Sequence, residues 1–230
     1  MGAFTPEEIT AIALSVRVAL VAVLCSLPLG VALGWVLARR RFRGRLLLDA
    51  VLMLPLVLPP VVTGYGLLVV FGTQGVVGRW LLESFGVTLA FRWTGAALAA
   101  ALMGFPLLVR AVRLSVEAVD ARLEHAARTL GASPWRVFVD ITLPLAWPGV
   151  LAGAVLAFAK ALGEFGATIT FVSNIPGETQ TIASAIYGLL QVPGGEARVW
   201  RLTVVSVVLS FAAVFIAEWL AQRQRREQVT

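Results

Sequence analysis

Four side chains in this sequence are of types that do chemistry, and their spacing limits what that chemistry is. Lys160 and Glu164 lie in a long apolar run, four residues apart and therefore on one helical face. An ionised lysine in such a setting offsets the desolvation of an anion, whereas a Lys–Glu pair neutralises itself. Two readings follow: a salt bridge facing a helix bundle, or a positive charge beside a translocation path. Unpaired, Glu164 would repel an anion, so the two charges are coupled. His125 is the only histidine and has no nearby group to orient it as a base. Cys25, the only cysteine, sits mid-run and reads as a small packing residue. The sequence has no His-Glu-x-x-His, no Cys/His cluster, no paired aspartates in the apolar runs and no Gly-x4-Gly-Lys-Ser/Thr loop. No catalytic residue, metal ligand or ATPase site is therefore assigned to this chain.

The elements that position these groups follow from composition. Apolar residues make up 59% of the chain and charged residues 14%, more apolar surface than a soluble domain of 230 residues can cover. In lipid, each backbone N–H and C=O must be satisfied internally, leaving helices or a closed barrel. The apolar runs are long and do not alternate, so an all-α integral membrane protein is expected. Five spans are placed at about 11–38, 48–71, 93–112, 144–170 and 200–221, within a transmembrane domain of 9–220. A basic tail occupies 221–230. The piece from Ile182 to Val192 is too short to cross and reads as a surface or re-entrant helix. The start, Met-Gly-Ala-Phe-Thr-Pro-Glu-Glu, lacks the basic opening of a secretory signal, so the first span is expected to remain in place.

The net charge of +6 is segregated by position, which reflects membrane topology and not nucleic-acid binding. Thirteen arginines fall after span one (Arg39, Arg40, Arg41, Arg43, Arg45), between spans three and four (Arg110, Arg113, Arg122, Arg128, Arg136) and in the tail (Arg223, Arg225, Arg226). The opposite connections hold only Arg79, Arg92, Arg198 and Arg201. This bias puts the N-terminus outside and the C-terminus in the cytoplasm. Arg17, at the outer edge of span one, is expected to snorkel to the interface. Gly30 with Gly34, and Gly149 with Gly153, have the spacing of close helix contacts. Pro55, Pro59 and Pro60 in span two and Pro144 and Pro148 at span four bend their helices. They are read either as bundle geometry or as a broken helix lining a path.

The connection at about 113–143 has its own helix grammar. Asp120 caps a start, Leu123, Ala126, Ala127 and Leu130 share a face, and Gly131 supplies a left-handed stop. Ser133-Pro134 then opens a second short helix carrying Trp135 and Phe138. The pair either lies on the membrane surface or docks on a partner.

The spacing of Ala126-Ala127, Gly131 and Ile141-Thr-Leu-Pro144 resembles the cytoplasmic loop of binding-protein-dependent ABC importer permeases. That resemblance implies a type I ABC importer transmembrane fold. It also implies a coupling role for Glu124, His125, Ala126, Ala127, Gly131, Ser133, Pro134 and Trp135 against the ATPase subunit. The family usually has glutamate directly before the alanines. Here His125 stands there and Glu124 one place earlier, so the docking contact falls to Glu124 or is reshaped around His125. The runs Leu54–Tyr65, Ala157–Thr168 and Asn174–Ile182 resemble molybdate ABC transporter permeases. The second of these also resembles sulfate and thiosulfate permeases, and tungstate is a further alternative substrate. The resemblance implies a bacterial inner-membrane, multi-pass, homodimeric pore with two ATPase subunits, which bind ATP and Mg, and an extracytoplasmic molybdate-binding protein. Lys160, Glu164, Pro59 and Pro60 are the candidates for the pathway. A secondary transporter is disfavoured because no inverted repeat is visible, and a membrane enzyme because no polar constellation is present. Gly131→Val should uncouple ATP hydrolysis from uptake, because a β-branched residue resists the left-handed conformation. Normal ATP-driven uptake in that variant would remove Gly131 from the coupling device.

Overall fold

A computed structural model describes residues 4–227, and every regular element among them is helical. In chain order these are α1 Pro6–Arg39, α2 Arg45–Val57, α3 Pro60–Phe71, α4 Val76–Phe85, α5 Trp93–Ala118, α6 Ala121–Thr129 and α7 Pro134–Val137. A π-helical turn, Phe138–Thr142, leads into α8 Leu143–Leu162, followed by α9 Gly166–Val172, α10 Ile182–Leu189 and α11 Glu196–Glu227. Four helices are long and apolar enough to cross a membrane, and the pair α2–α3 makes a fifth candidate. Of the tail at 221–230, residues 221–227 continue α11, and 228–230 lie outside the described residues.

Helix α5 is the centre of the bundle. Its buried face is built from Ala96, Ala97, Ala99, Ala100, Met103, Leu108 and Val112, and α1 and α8 pack on either side. Small residues set these distances. A Cβ on Gly34 would lie 2.6 Å from Val112 Cγ1 and 3.2 Å from the Arg113 backbone nitrogen, and one on Gly30 would lie 2.6 Å from Leu108 Cδ2. On the other side a Cβ on Gly149 would come within 2.1 Å of Ser115 Cβ. Both glycine pairs noted in the sequence therefore sit at helix crossings. Without a hydrophobic drive between helices in lipid, such close packing is what holds them together.

Two of the five expected spans are broken. Pro59 and Pro60 offer no N–H, and the residue before a proline is pushed out of the α region: Leu58 is extended at ψ 145°. The chain turns by 110° between α2 and α3, whose 13 and 12 residues are each too short to cross about 30 Å of hydrocarbon. The fourth span stops at Leu162 and resumes at Gly166 as α9. It also starts earlier than expected, because Pro134–Leu162 is one continuous 29-residue helix. The second loop helix is thus fused to the span. Proline at position 144 crowds the carbonyl four residues back, and the π turn before it, closed by Leu143 N–H to Phe138 O, widens the helix there.

Outside the bundle core, Glu8 at the start of α1 is buried and accepts from Arg201 at 2.9 Å, while Arg198 donates to Glu7 at 2.9 Å. The two arginines tie the start of α11 to that of α1. The short helix α10 is fixed by its Ile182 N–H donating to Ser15 Oγ at 2.7 Å. Arg17 lies over the Trp93 ring at 3.8 Å. Cys25 is exposed in a groove against α2 and α5 and is not packed inside the bundle. The small-residue contacts are testable. Gly34→Val should lower the unfolding midpoint of the detergent-solubilised protein, by the equivalent of about 1–3 kcal/mol of overpacking. Gly66→Ala, whose Cβ would meet nothing within 4 Å, should leave it unchanged.

Candidate functional site

The coupling-loop residues named from the sequence come together in a compact arm at the arginine-rich end of the bundle. Asp120 caps α6, its carboxylate accepting from Arg122 N–H at 2.9 Å. The helix closes with Gly131 N–H donating to Arg128 O at 3.0 Å and Ala132 N–H to Ala127 O at 3.0 Å, which requires Gly131 to sit at φ +88°. Ser133 Oγ accepts from Arg136 N–H, and Pro134 starts α7.

The orientation of α6 differs from a simple amphipathic helix resting on the bundle. The charged side chain points inward. Glu124 is 5% exposed, and its Oε1 accepts from Arg39 Nε at 2.9 Å and from Thr142 Oγ1 at 2.8 Å. Arg39 donates a further bond to Val119 O at 2.8 Å, one of the carbonyls left open at the end of α5. One carboxylate thus pins the end of α1, the loop helix and the π turn to a single point. The apolar residues face out: Leu130 is 89% and Trp135 71% exposed, and His125 and Ala126 are exposed beside them, with Ala127 half-buried. Of the two alternatives for the docking contact, Glu124 is engaged internally, because a buried carboxylate needs its partners. His125 is at the surface.

Arg39 was legible only as one of thirteen topology charges, and its role as the pin had no local signal. Thr142 lies within the Ile141–Pro144 motif, but nothing in that motif marks it as a donor.

The residues read as pathway candidates also converge. Lys160 pairs with Glu164 Oε2, while Oε1 of the same buried carboxylate accepts from Ala167 N–H at 2.9 Å. Glu164 therefore bridges the break between α8 and α9. That break abuts the other one. A Cβ on Gly166 would stand 2.7 Å from Pro60 Cβ, and one on Gly64 would stand 2.5 Å from Ala167 O. Pro60, Glu164 and Lys160 thus gather where two broken spans touch, with Pro59 one residue away in the bend. The Lys160 side chain keeps 30% of its surface exposed, and that of Glu164 only 1%. Among the described residues no set of His, Cys, Asp and Glu gathers as a metal site.

The sequence and the fold of this bundle match those of known proteins. Residues 27–226 match the model of the binding-protein-dependent transport system inner membrane component family. The chain belongs to that family. It is a multi-pass inner-membrane permease. It is 59% identical over 221 residues to the molybdenum transport system permease protein ModB of Escherichia coli K12, covering 96% of both chains. It is 54% identical to the protein of the same name in Haemophilus influenzae, again over 96% of both. The sulfate transport system permease protein CysT of E. coli is 35% identical over 90% of this chain and 76% of the relative. Among solved structures, a bacterial alginate ABC transporter chain superimposes with a TM-score of 0.75 at 16% identity, over 95% of the permease and 80% of that chain. A chain of the inward-facing MetNI methionine ABC transporter superimposes with a TM-score of 0.68 at 14% identity, over 94% of each. The fold is that of type I ABC importer permeases.

The pin is open to a double-mutant cycle. Arg39→Met or Glu124→Leu alone should destabilise the permease by about 3 kcal/mol, because each strands the other charge. The double variant should lose less than the sum of the two, by on the order of 1–3 kcal/mol. Additive losses in the thermal unfolding midpoint would mean that the two charges do not act as a unit.

Proposed function

We propose that this permease is the membrane-spanning subunit of an ATP-driven molybdate importer, with its N-terminus outside and its C-terminus in the cytoplasm. The observation that carries the substrate is the identity of 59% to a molybdenum permease along nearly the whole of both chains, against 35% to a sulfate permease. Sulfate, thiosulfate and tungstate, tetrahedral oxyanions of similar charge, are the alternatives. The working assembly in this reading is two copies of the permease, two ATPase subunits and an extracytoplasmic binding protein that delivers the anion. ATP and Mg belong to the ATPase subunits, and this chain contributes no cofactor.

In this reading the outward face of α6–α7, carrying His125, Ala126, Leu130 and Trp135, docks on the ATPase. Gly131, Ser133 and Pro134 set the bend that presents it, and Glu124 and Ala127 hold it to the bundle. The exposed Leu130 and Trp135 support docking, since large apolar side chains in a charged loop otherwise stand in water. ATP-driven closure of the two ATPase subunits then pushes the arms together and opens the pore to the delivered anion. The path passes the meeting of the two broken spans. Irregular backbone at membrane depth is tolerated where it is buried in protein or lines a cavity. Lys160, half-exposed there, offsets the charge of the passing dianion, while Glu164 fixes its position.

The test is uptake of trace molybdenum and of sulfate in cells with and without the gene, redundant systems removed. Loss of molybdenum uptake alone, restored by the gene, is expected. Loss of sulfate uptake alone would keep the permease and replace its substrate. In the same assay Lys160→Ala should lower molybdenum uptake about tenfold or more, equivalent to 1.4 kcal/mol on the limiting step, and Lys160→Arg should retain most of it. Normal uptake in both variants rejects a role for Lys160 in the path. Recovery in Lys160→Ala/Glu164→Ala would reduce the pair to a structural salt bridge.

A further inference from the structure

One strongly apolar concavity of the arginine-rich half is not on the path or on the outward face of α6. It is a cleft of ≈580 Å3 between the C-terminal half of α1 and the continuous helix from α7 to α8, within the about 300–1,000 Å3 typical of small-molecule sites. Val31 and Trp35 form one wall, and Trp135, Phe138 and Trp147 the other. The rings are organised: Phe138 packs edge-on to Trp35 at 5.5 Å and tilted against Trp135 at 5.7 Å. Three of the chain's seven tryptophans thus meet at one opening. Tryptophan concentrates where hydrocarbon gives way to headgroups.

A positive charge stands at the rim. The Arg40 guanidinium lies 5.7 Å from the centre of the Trp35 ring. It has no carboxylate within ion-pairing distance among the described residues, whereas the neighbouring Arg39 is held by Glu124. An apolar slot running along two membrane helices, with a guanidinium free of any carboxylate at its end, has the charge and the shape to fit a two-part molecule with an acyl chain and a phosphate.

We propose that this cleft holds one anionic phospholipid of the surrounding leaflet, its acyl chain between α1 and α8 and its phosphate against Arg40. Because one wall is the helix that begins in the coupling arm, the lipid lies against the element that joins arm to span. The cleft shares Pro134 and Trp135 with the arm of the proposed function, but its readout is lipid retention and not uptake.

The test uses the permease assembled with its ATPase subunits in mild detergent, titrated with phosphatidylglycerol or phosphatidylcholine and read by native mass spectrometry. One phosphatidylglycerol per permease chain should be retained in preference to phosphatidylcholine. Arg40→Ala should weaken phosphatidylglycerol retention roughly fivefold, the equivalent of about 1 kcal/mol. Ala32→Trp, which fills the cleft that Ala32 lines, should weaken retention of both lipids. As a check that needs no variant, brominated phosphatidylglycerol at low mole fraction should quench the tryptophan fluorescence of the wild-type complex more than brominated phosphatidylcholine does. Equal retention and equal quenching by the two lipids would overturn the proposal. So would unchanged retention in Ala32→Trp, or a wild-type complex that retains no lipid because an ATPase subunit or a second copy of the chain covers the cleft.

Discussion

The arrangement at the arginine-rich end depends on a single buried carboxylate. Glu124 cannot be left without partners at 5% exposure, and the groups that satisfy it come from the end of α1 and from the π turn. Arg39 also closes a free carbonyl at the end of α5. Four chain segments are therefore indexed to one point. An ion pair of this kind gives little net stability compared with apolar packing, but removing either member is costly. It fixes position more than it adds strength. Fixed position is what an arm needs if its outer face is to meet another protein in one orientation.

The interior follows a different constraint. Lipid cannot satisfy a backbone group, so every interruption of a helix must be made good by protein. Two interruptions occur, at Pro59–Pro60 and at Gly163–Phe165, and they are placed against each other. Gly166 allows Pro60 to approach, and the carboxylate of Glu164 meets the open N–H of Ala167. The long straight helices around them are held by glycine and alanine contacts onto α5. Rigid scaffold and irregular centre are thus assigned to different residues: small side chains to the scaffold, prolines and a charged pair to the centre.

Much of this was legible in the sequence, and the physical reasons for the rest are specific. Membrane class followed from composition alone. The glycine pairs named the right crossings because close approach demands a missing side chain. The α6 stop at Gly131 followed from residue type. The direction of α6 did not. The stripe of Leu123, Ala126 and Leu130 marks one face, but periodicity does not say whether that face meets the bundle or a partner, and the buried acid decides it. The bend at Pro59–Pro60 had a chemical cause in view, though its size of 110° depends on what α3 packs against. The fusion of α7 to α8 was hidden because Pro144 looks like a helix start. Only the π turn lets the helix run through it. Helix α4 was missed in a stretch with no span-length apolar run.

That fusion has a mechanical consequence. A 29-residue rod held against α5 at Gly149 and Gly153 behaves as a lever with its fulcrum at those glycines. At 1.5 Å per residue, Trp135 lies about 24 Å from that fulcrum on one side and Lys160 about 14 Å on the other. A sideways displacement of the arm therefore reaches the lysine reversed in direction and reduced to roughly six-tenths of its size, the ratio of the two arms. In the proposed transport cycle, the position of two glycines along one helix thus sets a gear ratio between the partner's stroke and the motion at the centre of the membrane.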